Sequence, residues 1–148
     1  KVRSGADSHS WSLNAFWRPE DSGWMPSVSA GVGASYLNGN SAWENNTSKR
    51  EMASWMVGLT WNDVFMEGNA LGAAVGQPQF VTEVDNNGGD AFVADGNYAM
   101  ELWYKFQVTN KIAVTPAIYW LSRPYGFETP NDKSVGVLGG VIQTVFKF

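Results

Sequence analysis

Large apolar residues recur at every second position along most of the chain. In NYAMELWYKFQ (97–107), Tyr98, Met100, Leu102, Tyr104 and Phe106 share one parity, while Asn97, Ala99, Glu101, Trp103, Lys105 and Gln107 share the other. That is the two-residue period of a β-strand, whose successive side chains point to opposite faces. In SHSWSLNAFWR (8–18), Trp11, Leu13, Ala15 and Trp17 oppose Ser10, Ser12, Asn14, Phe16 and Arg18. In PSVSAGVGASYL (26–37), Val28, Ala30, Val32, Ala34 and Tyr36 oppose Ser27, Ser29, Gly31, Gly33 and Ser35. VIQTVFKF (141–148) alternates Ile142, Thr144, Phe146 and Phe148 with Val141, Gln143, Val145 and Lys147. The pattern predicts seven strands, near 8–18, 26–37, 51–61, 69–77, 97–107, 112–122 and 137–148. No capped apolar run of helical period competes, so the fold class is all-β. The run 112–122 alternates less cleanly. Pro116 inside it has no N–H for a ladder, which predicts a bulge or an unpaired position.

These strands are longer than the usual ~5 to 6 residues and match the ~9 to 11 that a tilted strand needs to cross a bilayer. The connections alternate between short (19–25, 62–68, 108–111) and long (38–50, 78–96, 123–136). Antiparallel strands joined this way collect all short turns at one end, the arrangement of outer-membrane barrels. A soluble sandwich has no reason to sort its loops so.

Charge placement points the same way. The chain has 10 Lys and Arg and 14 Asp and Glu, of which only Arg18, Glu51, Glu101, Lys105 and Lys147 fall inside the predicted strands. Glu101 and Lys105 lie on the polar parity, and a charge facing lipid near the midplane costs about 2–4 kcal/mol for Arg or Lys. The apolar parity is therefore expected to face lipid and the polar one a water-filled lumen. Candidate pore-lining residues are Asn14, Phe16, Arg18, Glu101, Trp103, Lys105, Gln107, Gln143 and Lys147. On the outward parity, Trp17, Trp61, Tyr104, Phe106, Phe146 and Phe148 gather toward the short-turn end, and Trp11, Tyr36, Tyr98 and Trp120 toward the long-loop end. Two such girdles suit the two membrane interfaces, where amphipathic rings prefer to sit. Trp55, in mid-strand, is the exception.

Composition narrows the classes further. Charged residues are 16 % of 148, against roughly 25 % in soluble domains, and the length suits one domain. The net charge of −4 comes without any basic run, so no nucleic-acid partner is expected. The absence of cysteine excludes disulfides, thiolate zinc sites and a cysteine nucleophile. No stretch of about 18 apolar residues offers a spanning helix. The chain opens KVRSGADS, without Met or an apolar leader. Bacterial single-chain barrels have even strand numbers. Seven strands ending at the short-turn side begin at the long-loop side, so the expectation is the C-terminal part of a larger barrel.

Three local patterns carry little chemistry. His9, the one histidine, is flanked by Ser8 and Ser10, which on a strand point away from it. In DNNGGDAFVADGN (85–97), a calcium loop counted from Asp85 would have Gly89 at position 5 and Asp90 at position 6, which fails the EF-hand pattern. Asn45 and Asn46 each begin an Asn-x-Ser/Thr sequon. No catalytic residue, metal site or cofactor is expected.

NALGAAVGQPQFVTE (69–83), NYAMELWYKFQVTNKIAVTPAIYWLSRPYG (97–126) and the closing VIQTVFKF resemble the C-terminal region of cyanobacterial outer-membrane porins, similar to the carbohydrate-selective OprB type and often described as iron-uptake porins. The resemblance is weakest in the loops at 38–50, 84–96 and 127–136. It implies an outer-membrane location, a sixteen-stranded trimeric barrel, and an upstream S-layer-homology domain absent from these residues. It also implies that the strand ending at Phe148 is read by the barrel-assembly machinery. The expected activity is passive diffusion of sugars, inorganic ions or iron species through a lined pore. The alternative, a soluble or surface β-sandwich that binds carbohydrate, explains the aromatics but not the sorted loops or the charge-free outward faces.

Overall fold

Alternation is realised as one antiparallel sheet. A computed structural model describes residues 7–20, 23–40, 47–86, 90–92, 96–125 and 136–148. The strands are β1 (Asp7–Trp17), β2 (Ser27–Asn40), β3 (Thr47–Asn62), β4 (Ala70–Asn86), β5 (Asp90–Phe92), β6 (Ala99–Thr109), β7 (Ile112–Ser122) and β8 (Gly136–Phe146). Their order is β1-β2-β3-β4-β6-β7-β8, with the short β5 paired to the end of β4. Sequence neighbours thus pair throughout, apart from the detour of β5. Among the described residues there is no helix.

The seven long strands match the expected seven in number and place, but β3 and β4 are longer than expected. They run 16 and 17 residues and stay paired as far as Ser48–Asn86. At about 3.3 Å per residue such strands reach well past a hydrocarbon core of about 30 Å. Much of what reads as long loop at 38–50 and 78–96 is therefore strand. Two causes hid it. Polar residues dominate TSKRE and TEVDN, and a ribbon with water on both faces needs no apolar parity. In addition, Pro78 looks like a strand end, yet it falls where the β3–β4 register shifts, between Ala53–Phe80 and Trp55–Gln77. A bulge leaves one residue out of the ladder, which suits a proline without N–H. The extension also brings Lys49, Arg50, Glu83 and Asp85 into strands beside Glu51, all at the end away from the short turns. With β2 and β3 lengthened, their connection shrinks to 41–46, so the sorting of loop lengths rests on the other two long connections.

Pro116 produces an unpaired position and no bulge. The β6–β7 register is unchanged on either side of it, but the pairs due at Tyr104–Pro116 and Lys105–Thr115 are missing. The ladder to β8 runs straight through Pro116–Ile142.

Register assigns the two faces. Val28–Leu59, Ala30–Val57, Val32–Trp55, Val75–Met100, Leu102–Ile118 and Trp120–Leu138 are pairs on one face. Ser29–Gly58, Gly72–Trp103, Glu101–Tyr119 and Thr115–Gln143 are pairs on the other. A concavity of about 690 Å³ is lined from Ser12 on β1 across to Leu121 on β7. Only a curved sheet can enclose it, and the polar, small-residue face is the concave one. Among the described residues few apolar side chains are buried: Ala70, Val81, Ala113 and Ala117. Leu13, Ile118, Leu138 and Ile142 on the convex face are all exposed. Among the described residues the one-layer sheet buries only these small apolar side chains and shows no extended hydrophobic core.

Trp55, the mid-strand exception, lies on the convex face. Its Nε1 donates to the Gln77 Oε1 at 2.7 Å, so the two polar groups there satisfy each other. Trp55→Phe removes that donor and is expected to cost about 1–3 kcal/mol, read from urea unfolding of the folded protein in lipid vesicles. Gly72→Val forces a side chain into the Trp103 indole and is expected to cost about 1–3 kcal/mol by overpacking. Gly140→Ala, whose nearest contact would be an ordinary 3.5 Å, is the matched control and should be close to neutral.

Candidate functional site

The floor of the concavity is short of side chains. On β4 every second residue facing inward is small: Ala70, Gly72, Ala74 and Gly76. Gly58 of β3 lies beside Ala74, which leaves a bare trough along the middle of the concave face. Asn14 and Phe16 of β1 flank it on one side, separated from β3 by Gly31 and Ser29 of β2. Glu101, Trp103 and Lys105 of β6 flank it on the other, opposite Ala74, Gly72 and Ala70.

Two aromatic side chains shape this wall. The Trp103 indole lies over Gly72 on β4, and the Tyr119 ring lies over Gly139 on β8. Each glycine leaves the room that a Cβ would fill. A ring laid on a neighbouring strand covers its backbone and keeps the concave surface low, an arrangement known to compensate for glycine in strands. Tyr119 is also the direct cross-strand partner of Glu101.

The candidate lumen residues do not form one cluster. Glu101, Trp103 and Lys105 stand in line on β6, Asn14 and Phe16 lie across the trough, and Gln143 sits on the β8 edge opposite Thr115. Arg18 and Lys147 lie beyond the ends of β1 and β8, although the Lys147 N–H still donates to the Lys111 carbonyl at 2.8 Å. Gln107 has concave parity, but its Nε2 donates to the Thr109 carbonyl at 2.6 Å and lies 3.4 Å from the Ile112 carbonyl. It closes the tight turn between β6 and β7. Sequence reasoning did not single out Tyr119, Ser12, Ser54 or Met56, all of which line the concavity. The alternation of small residues on β4 was a readable sign of the floor. The lengthwise order of the walls was not, because it depends on register.

On the concave side nearer the long connections, the Ser10 and Ser35 hydroxyls are 2.9 Å apart and the Gln79 Nε2 donates to the Ser35 Oγ at 2.8 Å. The bulge at Pro78 is what turns Gln79 inward. His9 pairs with Tyr36 on the opposite face from Ser8 and Ser10, so it has neither serine as a neighbour. Among the described residues no group of three or more His, Cys, Asp or Glu could hold a metal ion. The stretch 85–97 falls partly, and Asn45 and Asn46 wholly, outside the described residues.

The convex face carries the aromatic residues expected there. Trp11, Trp17, Tyr36, Trp61, Tyr104, Phe106, Trp120 and Phe146 all share its parity in the register, and Tyr98 and Phe148 extend it just beyond β6 and β8. At the short-turn end Tyr104 is held on both sides. Its hydroxyl donates to the Val64 carbonyl at 2.7 Å and accepts from the Asn69 Nδ2 at 3.0 Å. Asn69 is only 5 % exposed, and its Oδ1 accepts from the Gln107 N–H at 2.9 Å. Both ends of a buried amide are therefore satisfied, as burial demands.

The uncharacterized protein alr4550 of Nostoc sp. is 28 % identical over 145 residues, which are 98 % of this chain and 22 % of that protein. The uncharacterized protein sll0772 of Synechocystis sp. is 30 % identical over 128 residues, 85 % of this chain and 21 % of its own length. The chain thus spans about a fifth of the curated relatives it matches. No solved structure matches significantly. The profile of the carbohydrate-selective porin family OprB, a family of outer-membrane proteins, matches residues 1–148 from end to end, and the chain belongs to that family.

Proposed function

We propose that these residues form part of the wall of a water-filled outer-membrane channel, through which small hydrophilic solutes diffuse passively, sugars and inorganic ions among them. One observation carries the reading: a curved single-layer sheet with an exposed apolar convex face and a concave one that holds the glycines, serines, amides and charges, beside apolar Phe16, Met56, Val137, Val141 and Val145. In a β-sandwich the apolar face turns toward a second sheet about 10 Å away. Here the apolar face bulges outward, where a second sheet fits poorly and lipid fits well.

Backbone chemistry supports closure with the rest of the same barrel. β1 and β8 are the two edges, and six antiparallel steps between them make them run in the same direction. They cannot pair antiparallel with each other. An odd number of further strands between them gives an even, all-antiparallel barrel and leaves no backbone group unpaired in hydrocarbon.

Within the lumen, Glu101, Lys105, Arg18 and Lys147 are the charges that tune ion preference, with cations outnumbering the one anion. Asn14 and Gln143 offer neutral hydrogen bonds. The free face of the Trp103 indole, and Phe16 across the trough, can stack on the apolar face of a sugar ring. The strand ending at Phe148 is the segment the barrel-assembly machinery reads, and the assembled unit is a trimer.

Planar-bilayer recording of the full-length protein tests this. It should give discrete conductance steps that added sugar blocks in a concentration-dependent way, and absence of channel activity would overturn the proposal. Trp103→Ala should raise the half-blocking sugar concentration severalfold. Lys105→Glu inverts one lumen charge and should move the reversal potential in a salt gradient toward cation preference.

A further inference from the structure

The short-turn end carries large apolar side chains beyond the strands. In the β3–β4 turn Phe65 is 91 % and Met66 67 % exposed, and in the β1–β2 connection Trp24 is 82 % exposed. Turns that only reverse the chain need none of these. Phe65 also holds φ at 65°, close to Asp63 at 57°. This left-handed region is rarely entered by bulky residues, and such outliers persist where the surroundings impose them. Here they do. The Asp63 N–H donates to the Asn69 carbonyl at 2.7 Å, the Asp63 Oδ1 accepts from the Gly68 N–H at 2.8 Å, and Tyr104 holds the Val64 carbonyl. The turn is built to present Phe65.

Both turns are tied to the convex face. The Phe65 ring lies 6.2 Å from that of Tyr104, which lies 4.5 Å from that of Phe106. The Trp61 Nε1 donates to the Trp24 carbonyl at 3.1 Å. Tyr104, Phe106 and Trp61 belong to the outward aromatics, so the apolar face runs on past the strand ends into the turns.

We propose that Trp24 of the β1–β2 connection and Phe65 and Met66 of the β3–β4 turn are membrane anchors, seated in the periplasmic leaflet of the outer membrane. The inference rests on the channel reading above, which makes the convex face lipid-facing. Glu20, Asp63 and Glu67 are exposed in the same two turns. A protein docked over the apolar side chains would strip water from these carboxylates at high cost. A bilayer interface takes up the rings and leaves the carboxylates hydrated. The anchors would set the height of the barrel, which the overlong β3 and β4 leave open at the other end.

The test uses the 148 residues' lack of cysteine. In the full-length protein, freed of any cysteine elsewhere and folded into phosphatidylethanolamine–phosphatidylglycerol vesicles, nitroxide labels are placed through Trp24→Cys, Phe65→Cys and Met66→Cys. Reference labels go on Ile142→Cys of the convex face, Gln143→Cys of the concave face and Glu67→Cys of the turn. The expected result is that labels at 24, 65 and 66 relax with dissolved oxygen, as at 142, and little with a water-soluble nickel chelate. If they meet the chelate as freely as the label at 67 while 142 does not, the anchor is overturned and the channel reading stands. Labels immobilised and shielded from both reagents would mean protein contact and would also overturn it. A label at 142 as chelate-accessible as that at 143 would remove the channel reading and the anchor together. Positions 24 and 66, outside the left-handed region, carry the test if Phe65→Cys does not assemble.

Discussion

A strand with one face in hydrocarbon has no water to hydrogen-bond its backbone, so every N–H and C=O must find a partner in the next strand. The sheet described here meets that demand. Neighbouring strands pair along nearly their full lengths. The two prolines within strands are accommodated without breaking the sheet, Pro78 at a bulge and Pro116 at a two-residue gap on one side only. The same demand makes β1 and β8 unfinished edges.

The second consequence is that the side chains of this one-layer sheet are sorted by face and not by burial, as a sheet between two solvents requires. In the channel proposed above, the hydrophobic effect works by turning leucine, isoleucine and tryptophan toward a partner that is itself apolar. Exposure of Leu138 or Ile142 is thus no defect. On the convex face Trp55 and Gln77 satisfy each other's polar groups. On the concave face the need is for open space, met by glycine and alanine along β4 and by rings laid flat over Gly72 and Gly139.

Much of this was legible in the residues. Two-residue alternation identified seven strands, their faces and the parity of Glu101, Lys105 and the outward aromatics, because one residue of slip would put every side chain on the wrong side. The polar extensions of β3 and β4 were not legible, since a ribbon in water on both faces carries no apolar parity to read. The turn contact of Gln107 was hidden for another reason: its parity pointed inward, yet its amide meets the Thr109 and Ile112 carbonyls of the tight turn beside it.

The sequence by itself therefore determined which side of each strand carries the large apolar side chains and which the small and polar ones, because that choice is local and repeats every two residues. Only the tertiary structure decided which strands stand beside which and at what register. That decided that Trp103 covers Gly72, that Tyr119 faces Glu101, and that Tyr104 and Trp61 pull two turns onto the apolar face. Those contacts join residues about 30 to 40 positions apart or cross from strand to strand. Their energies come from ladder pairing and close packing, which no local periodicity encodes.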